Sequence, residues 1–457
     1  MENKVNMFPI PCGEWLSRED PLHMPVLWSK KGETSLEQLK SEVHSLYERI
    51  SLLSAKRIAL FFDDHLSFIV SLLACLHAGK TPVLLGHTKL SRIILEQDSY
   101  DLLLCSHPLD EPVNHQVYHP YKTPRTSVGF LPALHPQQTL EIFTSGSSGR
   151  PKRITKTLKQ LDDEIRLIYP LLHSRVNQCY LCTSVTPSHL YGLTFTVWLP
   201  LSTGIPIFQH RIVYAEQYSA LFTDYRYIFV SSPAFLKRID ENLPPPVTSL
   251  LLSAGGKLDQ STALNTQSWL TVGIDEIYGS SETGIMAHRY WGDEEPAWCC
   301  LPGITFNTSA EGWKVSSPLL SEETGLALSD ELSFIDERHF SLLGRLDRLV
   351  KLEEKRISLD EIEQRILSLK GIKDVAVFTV MLQARERIVA LVVAEPELKQ
   401  HWLDHKVLIE RQWRKELANS LDDIALPRYW RIIDSIPCNA MNKREYSRLK
   451  ELFFETR

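Results

Sequence analysis

Residues 141–152, EIFTSGSSGRPK, constrain this chain more than any other stretch. Ile142 and Phe143 close an alternating apolar lead-in that reads as the end of a buried strand. Thr144, Ser145, Gly146, Ser147, Ser148 and Gly149 follow as a run of hydroxyls and glycines. Such a loop can aim several backbone N–H groups and hydroxyls at one anion, because glycine accepts positive φ and lets a ligand approach the backbone. Pro151 stops the loop from winding into a helix, and Lys152 adds a mobile cation. Taken alone, the loop also fits a polar surface turn.

The surrounding chain alternates strand-like and helical patterns. Segments 57–62, 81–85, 101–105, 140–143, 179–185, 227–230 and 249–253 read as strands; 65–77, 158–172, 234–239 and 260–270 read as helices. Strands alternating with helices of this length predict parallel sheets covered by helices. After Gly344 the charges become denser, and short strands at 375–380 and 388–394 fall between helices at 359–369 and 407–417. That texture predicts a separate small α+β domain. The length of 457 residues and 43% hydrophobic content allow more than one core.

A net charge of −6 gives no electrostatic case for nucleic acid or an anionic membrane. The N-terminal residues lack a signal-peptide pattern, and the longest apolar runs, 68–76 and 193–201, are too short to span a bilayer. Eight scattered cysteines fit a reducing compartment, so a cytoplasmic protein is expected. Cys179 and Cys182 form a CxxC inside an apolar strand pattern, where residues three apart face opposite sides, so buried thiols are expected there.

Three further segments stand in order after the first loop: 275–284 (DEIYGSSETG), 344–363 (GRLDRLVKLEEKRISLDEIE) and 437–443 (PCNAMNK). The four together resemble the signature motifs of the adenylate-forming superfamily of acyl- and aryl-CoA synthetases, carrier-protein ligases, adenylation domains and luciferases. Residues 145–152 match its Ser-Gly-Thr/Ser-Thr/Ser-Gly-x-Pro-Lys loop, and Tyr278–Glu282 its Tyr-Gly-x-Thr-Glu with Ser281 for threonine. Gly344, Arg345, Asp347, Lys351, Arg356 and the run 361–363 match its third motif. The resemblance implies an α/β protein: a large N-terminal domain of stacked parallel-sheet α/β subdomains (1–346) that binds nucleotide and acyl group. A small mobile α+β C-terminal domain (347–457) would act as a lid hinged at Asp347.

It also implies residue roles. Thr144, Ser145, Gly146, Ser147, Ser148, Gly149 and Lys152 would hold ATP phosphates. Tyr278 would stack on adenine beside Gly255 and Ser281, and Asp330 and Arg345 would reach the ribose. Glu282 would hold Mg²⁺, a hard cation that favours carboxylate oxygen. Lys443 would be delivered by the lid to the charge that develops at the α-phosphate. Ser253, Gly279, His189 and Tyr191 would border the acyl group, the last two through the segment 187–192 (PSHLYG), which is similar to aryl- and acyl-CoA ligases. No aspartate stands in that segment to pair with a substrate amine. Each residue has a plainer role available: a core tyrosine, a satisfied loop histidine, a solvated lysine, a glutamate at a helix start for Glu282.

The expected activity is ATP-dependent ligation of an aryl or fatty acid to coenzyme A or to the phosphopantetheine of an acyl carrier protein. The stretch following the phosphate loop, ITKTLKQLDDEI, is also similar to ligases of aryl-polyene and xanthomonadin-type pigment pathways. Two departures fall in the small domain, Glu354 where the family has glycine and Asn442 before Lys443. They keep an adenylation-only or non-catalytic nucleotide-binding protein as the alternative. A P-loop NTPase is excluded because Pro151 stands at the second glycine of GxxxxGK[ST] and Arg153 at its Ser/Thr. A serine hydrolase lacks its GxSxG.

Overall fold

The computed structural model describes residues 8–17, 25–85, 93, 96–106, 116–118, 129–145, 151–292, 295–309, 312–320, 325–345, 348–352, 355–382, 385–421, 423–438 and 444–455. Packing divides the chain into two compact units, Met1–Thr305 with Ser316–Gly325, and Phe306–Val315 with Leu326–Arg457. The expected hinge, Asp347, lies outside the described residues.

The first unit opens with a hairpin of β1 (Pro25–Ser29) and β2 (Gly32–Ser35). Helix α1 (Leu36–Ser51) follows from a reciprocal cap between Ser35 and Gln38, and buries Leu36, Leu39, Val43, Leu46 and Ile50 at helical spacing. Next come β3 (Arg57–Phe61), α2 (His65–His77), β4 (Thr81–Leu84), β5 (Leu102–Cys105), β6 (Gln116–Tyr118), β7 (Thr139–Ser145) and β8 (Pro151–Thr157). These strands form one sheet in the order β6-β5-β3-β4-β7-β8, parallel except for the β7–β8 hairpin. The near-continuous apolar character of β3, β4 and β5 suits strands covered on both faces.

Helix α3 (Leu158–Leu172) starts at a second reciprocal cap, Thr157 with Gln160. Its buried face carries Leu158, Leu161, Ile165, Ile168 and Leu172, and inside that stripe the charged Glu164. The second sheet is built from β9 (Cys179–Thr183), β10 (Ile207–Phe208), β11 (Arg226–Ser231), β12 (Thr248–Ser253), β13 (Ile274–Ser280), β14 (Gly284–Trp291) and β15 (Trp298–Cys300). Its order in this unit is β2-β1-β10-β9-β11-β12-β13-β14-β15, with β1, β10, β9, β11, β12 and β13 parallel. Helix α4 (Gln260–Leu270) is capped by Asp259, which accepts from Thr262 N. Strands and helices therefore alternate as the sequence predicts, and the chain is α/β with parallel sheets. Cys179 and Cys182 are both buried in β9, and burial pushes both thiols up.

In the second unit, β16 (Thr305–Ser309), β17 (Gly312–Ser316) and β18 (Leu326–Ala327) make a small sheet; β19 (Asp330–Phe334) pairs antiparallel with β20 (His339–Arg345). The hairpin β21 (Leu349–Leu352)–β22 (Lys355–Ser358) leads into α5 (Leu359–Leu367), capped by Ser358. The strands β23 (Ile372–Leu382), β24 (Arg385–Ala394) and β25 (Tyr429–Ile432) form a three-stranded sheet with α6 (Pro396–Leu417) and α7 (Tyr446–Glu455). The apolar core here centres on Trp402, Trp413 and Trp430, with successive ring centroids 5.1 Å apart. One carboxylate, Glu363 of α5, lies 2.7 Å from both the Arg348 and the Arg444 guanidinium and accepts a hydrogen bond from Val377 N.

Candidate active site

Strands β7 and β8 pair with Thr144 opposite Lys152 and Ser145 opposite Pro151. Gly146, Ser147, Ser148 and Gly149 lie outside the described residues. Lys152 and Lys156, four apart on β8, share one face of the strand. The Lys152 side chain is 58% exposed, and its Nζ stands 2.9 Å from Glu282 Oε1. Lys156 is buried, and its Nζ donates to the Glu282 carbonyl at 2.9 Å.

Glu282 sits in the turn between β13 and β14, not at the start of a helix. The turn forms because Ser280 N donates to Thr283 Oγ1 (3.1 Å) and the Thr283 hydroxyl donates to the Gly284 carbonyl (2.8 Å). Gly284, at φ +71°, turns the chain back into antiparallel register with Ser280. Gly279 is required by closeness: a Cβ there would lie 2.3 Å from the Gly284 carbonyl oxygen. Burial works against ionisation of Glu282, but the hydrogen bond and charge of Lys152 hold its pKa below the usual value. Glu282 is thus a carboxylate at neutral pH. Its pair with Lys152 is exposed enough to be worth about 0–1 kcal/mol, so a phosphate and a cation can take over the two partners at little cost.

The end of β13 also places Tyr278, whose ring centroid lies 5.6 Å from that of Trp298. Gly255 follows β12 in an exposed turn, and Ser281 lies in the same turn as Glu282. At the C-terminal ends of the parallel strands, Ser231 of β11 stands opposite Ser253 of β12, and Ser253 opposite Glu276 of β13. That end is where open α/β sheets bind ligands. Ser253 is fully buried, and its Oγ has no hydrogen-bond partner among the described residues. The Tyr191 hydroxyl donates to the Ser231 carbonyl at 3.1 Å; burial, then the charge of Glu276, pushes its pKa well up. His189 is buried immediately before the helical turn Leu190–Leu193.

The first unit therefore brings Lys152 to Glu282, and Tyr191 to the strand ends that carry Ser231 and Ser253. In the second unit, Asp330 and Arg345 stand opposite one another on β19 and β20, and Lys351 stands opposite Arg356. Lys443, Asn442 and Glu354 lie outside the described residues. Sequence reasoning missed Lys156 and Glu164. Glu164 accepts from the Thr194 hydroxyl (2.7 Å) and from Ile285 N (2.8 Å). The available signal was a glutamate inside the apolar stripe of α3, which a helical-face reading could have caught.

Residues 361–443 match the family model of the AMP-binding enzyme C-terminal domain. A mycosubtilin synthase chain from Bacillus subtilis is 23% identical across 85% of this chain, which spans 17% of that protein. A 4-coumarate–CoA ligase from Halorhodospira halophila is 24% identical across 66% of this chain and 74% of its own length. The segment 361–443 belongs to the AMP-binding enzyme C-terminal domain family. The benzoate CoA ligase of Burkholderia xenovorans LB400 shares the fold of this chain: TM-score 0.80 at 17% identity, over 96% of this chain and 99% of that one. The matched family domain ends on Lys443.

Proposed function

We propose that this chain is an adenylate-forming enzyme, an AMP-forming acid–thiol ligase for an aryl or fatty acid. In the first step a carboxylate oxygen of the acid attacks the α-phosphorus of ATP, the bond to the bridging oxygen breaks, and pyrophosphate leaves. In the second, a phosphopantetheine sulfur attacks the acyl carbon, AMP leaves, and the thiol proton passes to solvent. The acceptor is coenzyme A or the prosthetic arm of an acyl carrier protein.

The observation that carries this reading is the exposed Lys152–Glu282 pair, which sets a cation and an ionised carboxylate side by side at the edge of the glycine-rich hairpin. Lys152 is free to follow phosphate oxygens, and Glu282 supplies the hard oxygen donor that suits Mg²⁺. When bound there, the cation would neutralise charge on the triphosphate. Two anions must meet in the first step, so its barrier is largely electrostatic; Lys443 would stabilise the developing charge. Thr144, Ser145 and the residues up to Gly149 would add loop donors. Tyr278 would take adenine with Gly255 and Ser281 beside it, and Asp330 with Arg345 the ribose.

Tyr191, His189, Ser253 and Gly279 are assigned to the acyl group. Glu276, opposite Ser253 on the neighbouring strand, is engaged by Arg289 and Trp291 and is not free to receive a substrate amine. That supports a simple carboxylic acid over an amino acid. The eight cysteines stand as thiols, not disulfides, and no helix among the described residues is long and apolar enough to cross a membrane. Both support a cytoplasmic site of action. The test is ATP–pyrophosphate exchange with a panel of aryl, alkyl and amino acids. Exchange driven by aryl or alkyl acids is expected. Release of ADP in place of pyrophosphate defeats the mechanism, and exchange with amino acids alone defeats the substrate class.

A further inference from the structure

The two lysines of β8 approach Glu282 in different ways. Lys152 reaches its carboxylate from the surface, whereas Lys156, 4% exposed, reaches its main-chain carbonyl from below. Glu164 of α3 is 3% exposed and accepts from Ile285 N, three residues beyond Glu282. The middle of the turn is therefore held by a buried ammonium, and the start of β14 by a buried carboxylate. Burial lowers the pKa of Lys156 and raises that of Glu164, and the charge of each opposes the other's shift.

Two further contacts tie this arrangement to its surroundings. A Cβ on Gly284 would stand 2.8 Å from Glu164 Oε1, so the glycine leaves the room through which the carboxylate reaches the turn. The other Glu164 oxygen takes the Thr194 hydroxyl, three residues beyond Tyr191. The carboxylate thus joins the segment that carries Tyr191 to the turn that carries Glu282, across 121 residues in one direction and 30 in the other.

We propose that Lys156 and Glu164 are a positioning couple that fixes the direction of the Glu282 carboxylate and locks its turn to the Tyr191 segment. The inference rests on the reading of Glu282 as the group that meets cation and phosphate. Buried opposite charges are seldom more stabilising than apolar side chains of the same volume. The gain here is geometric: the main chain in the turn and just beyond it is held by two buried charged side chains, each bonded to a main-chain group.

The experiment follows from that distinction. Replacing the pair together, Lys156→Ile with Glu164→Leu, should keep the fold and melting temperature while removing both holds. Hydrogen exchange at the Ile285 amide is expected to speed up about tenfold or more, the scale of one lost charge-assisted hydrogen bond. In ATP–pyrophosphate exchange, the Mg²⁺ concentration for half-maximal rate should rise by about the same factor. The milder Glu164→Gln, which keeps an acceptor oxygen, should move both readouts the same way by less, and it serves if the double variant does not fold. Wild-type protection at Ile285 and a wild-type Mg²⁺ requirement in either folded variant overturn the proposal. If the wild-type protein shows no acid-dependent exchange, the proposed activity falls, and the Ile285 amide alone decides the positioning role.

Discussion

Arg289→Met should be among the most damaging single changes in the β13–β14 hairpin. Arg289 is 7% exposed; its Nε donates to Glu276 Oε2 at 2.7 Å, and its NH1 donates to Glu295 and to the Pro296 carbonyl. The guanidinium also lies 4.7 Å from the Trp291 ring and 4.4 Å from the Trp298 ring. Methionine can fill the space between the indoles but leaves Glu276, 1% exposed, with Trp291 Nε1 as its remaining side-chain donor. Removing one partner of a buried pair costs about 3–5 kcal/mol, because the charge left behind has no compensation. The loss should depend on pH. Burial already raises the pKa of Glu276 above 4.5, and without Arg289 it rises further. The folded variant then binds more protons than the unfolded chain between 4.5 and that raised value, so its stability falls as pH climbs through the window. Urea unfolding at pH 5 and pH 8 is the assay. The deficit against wild type should be clearly larger at pH 8. A deficit below about 1 kcal/mol at both pH values, or one that does not change with pH, would refute the reasoning.

Gly279→Ala brings a methyl within 2.3 Å of a backbone oxygen, so the Glu282 turn must shift. Acid-dependent exchange should fall about tenfold or more with the far-ultraviolet circular dichroism unchanged, as expected for catalytic groups displaced by a fraction of an ångström. Lys443→Ala should reduce exchange by about a hundredfold or more while ATP still binds, and a loss under about threefold would show that this lysine does not act on the α-phosphate. Tyr191→Phe removes the donor to the Ser231 carbonyl, and KM for the acid should rise several-fold, with kcat within about threefold, for a lost neutral hydrogen bond. A drop in kcat with KM unchanged would move Tyr191 from binding to chemistry.

The elements the sequence predicts best are those with local punctuation. The limits of α3 follow from Thr157, Gln160 and an apolar stripe, and those of α4 from Asp259 and its own stripe. Residues 396–406, the front of α6, escape the sequence pattern because the chain passes through a non-helical backbone at His405, which breaks the period. The hairpin around Glu282 is harder to read. Ser-Glu-Thr-Gly offers the same hydroxyl and acid that begin a helix; the turn closes through Ser280 and Thr283 and is held further by two side chains distant in sequence, Lys156 and Glu164. The α/β class is legible from alternation, and Lys152 stands out by its motif. The couple beneath the turn is not, since burial of a charge is a tertiary fact that no short window contains.

Glu363 imposes a different kind of constraint, one on inheritance. It is shared by Arg348, next to the expected hinge, and by Arg444, next to the lysine assigned to the α-phosphate. A lineage that lost this glutamate would take one partner from two guanidinium groups at once, leaving Arg348 to Asp360 and Arg444 to Asp374, so the three positions are expected to drift as a set. Replacing either arginine first still leaves the glutamate one partner; replacing the glutamate first leaves neither arginine its shared partner. The order in which such substitutions can accumulate is therefore written into the small unit, and it protects the two chain segments on which the proposed chemistry depends.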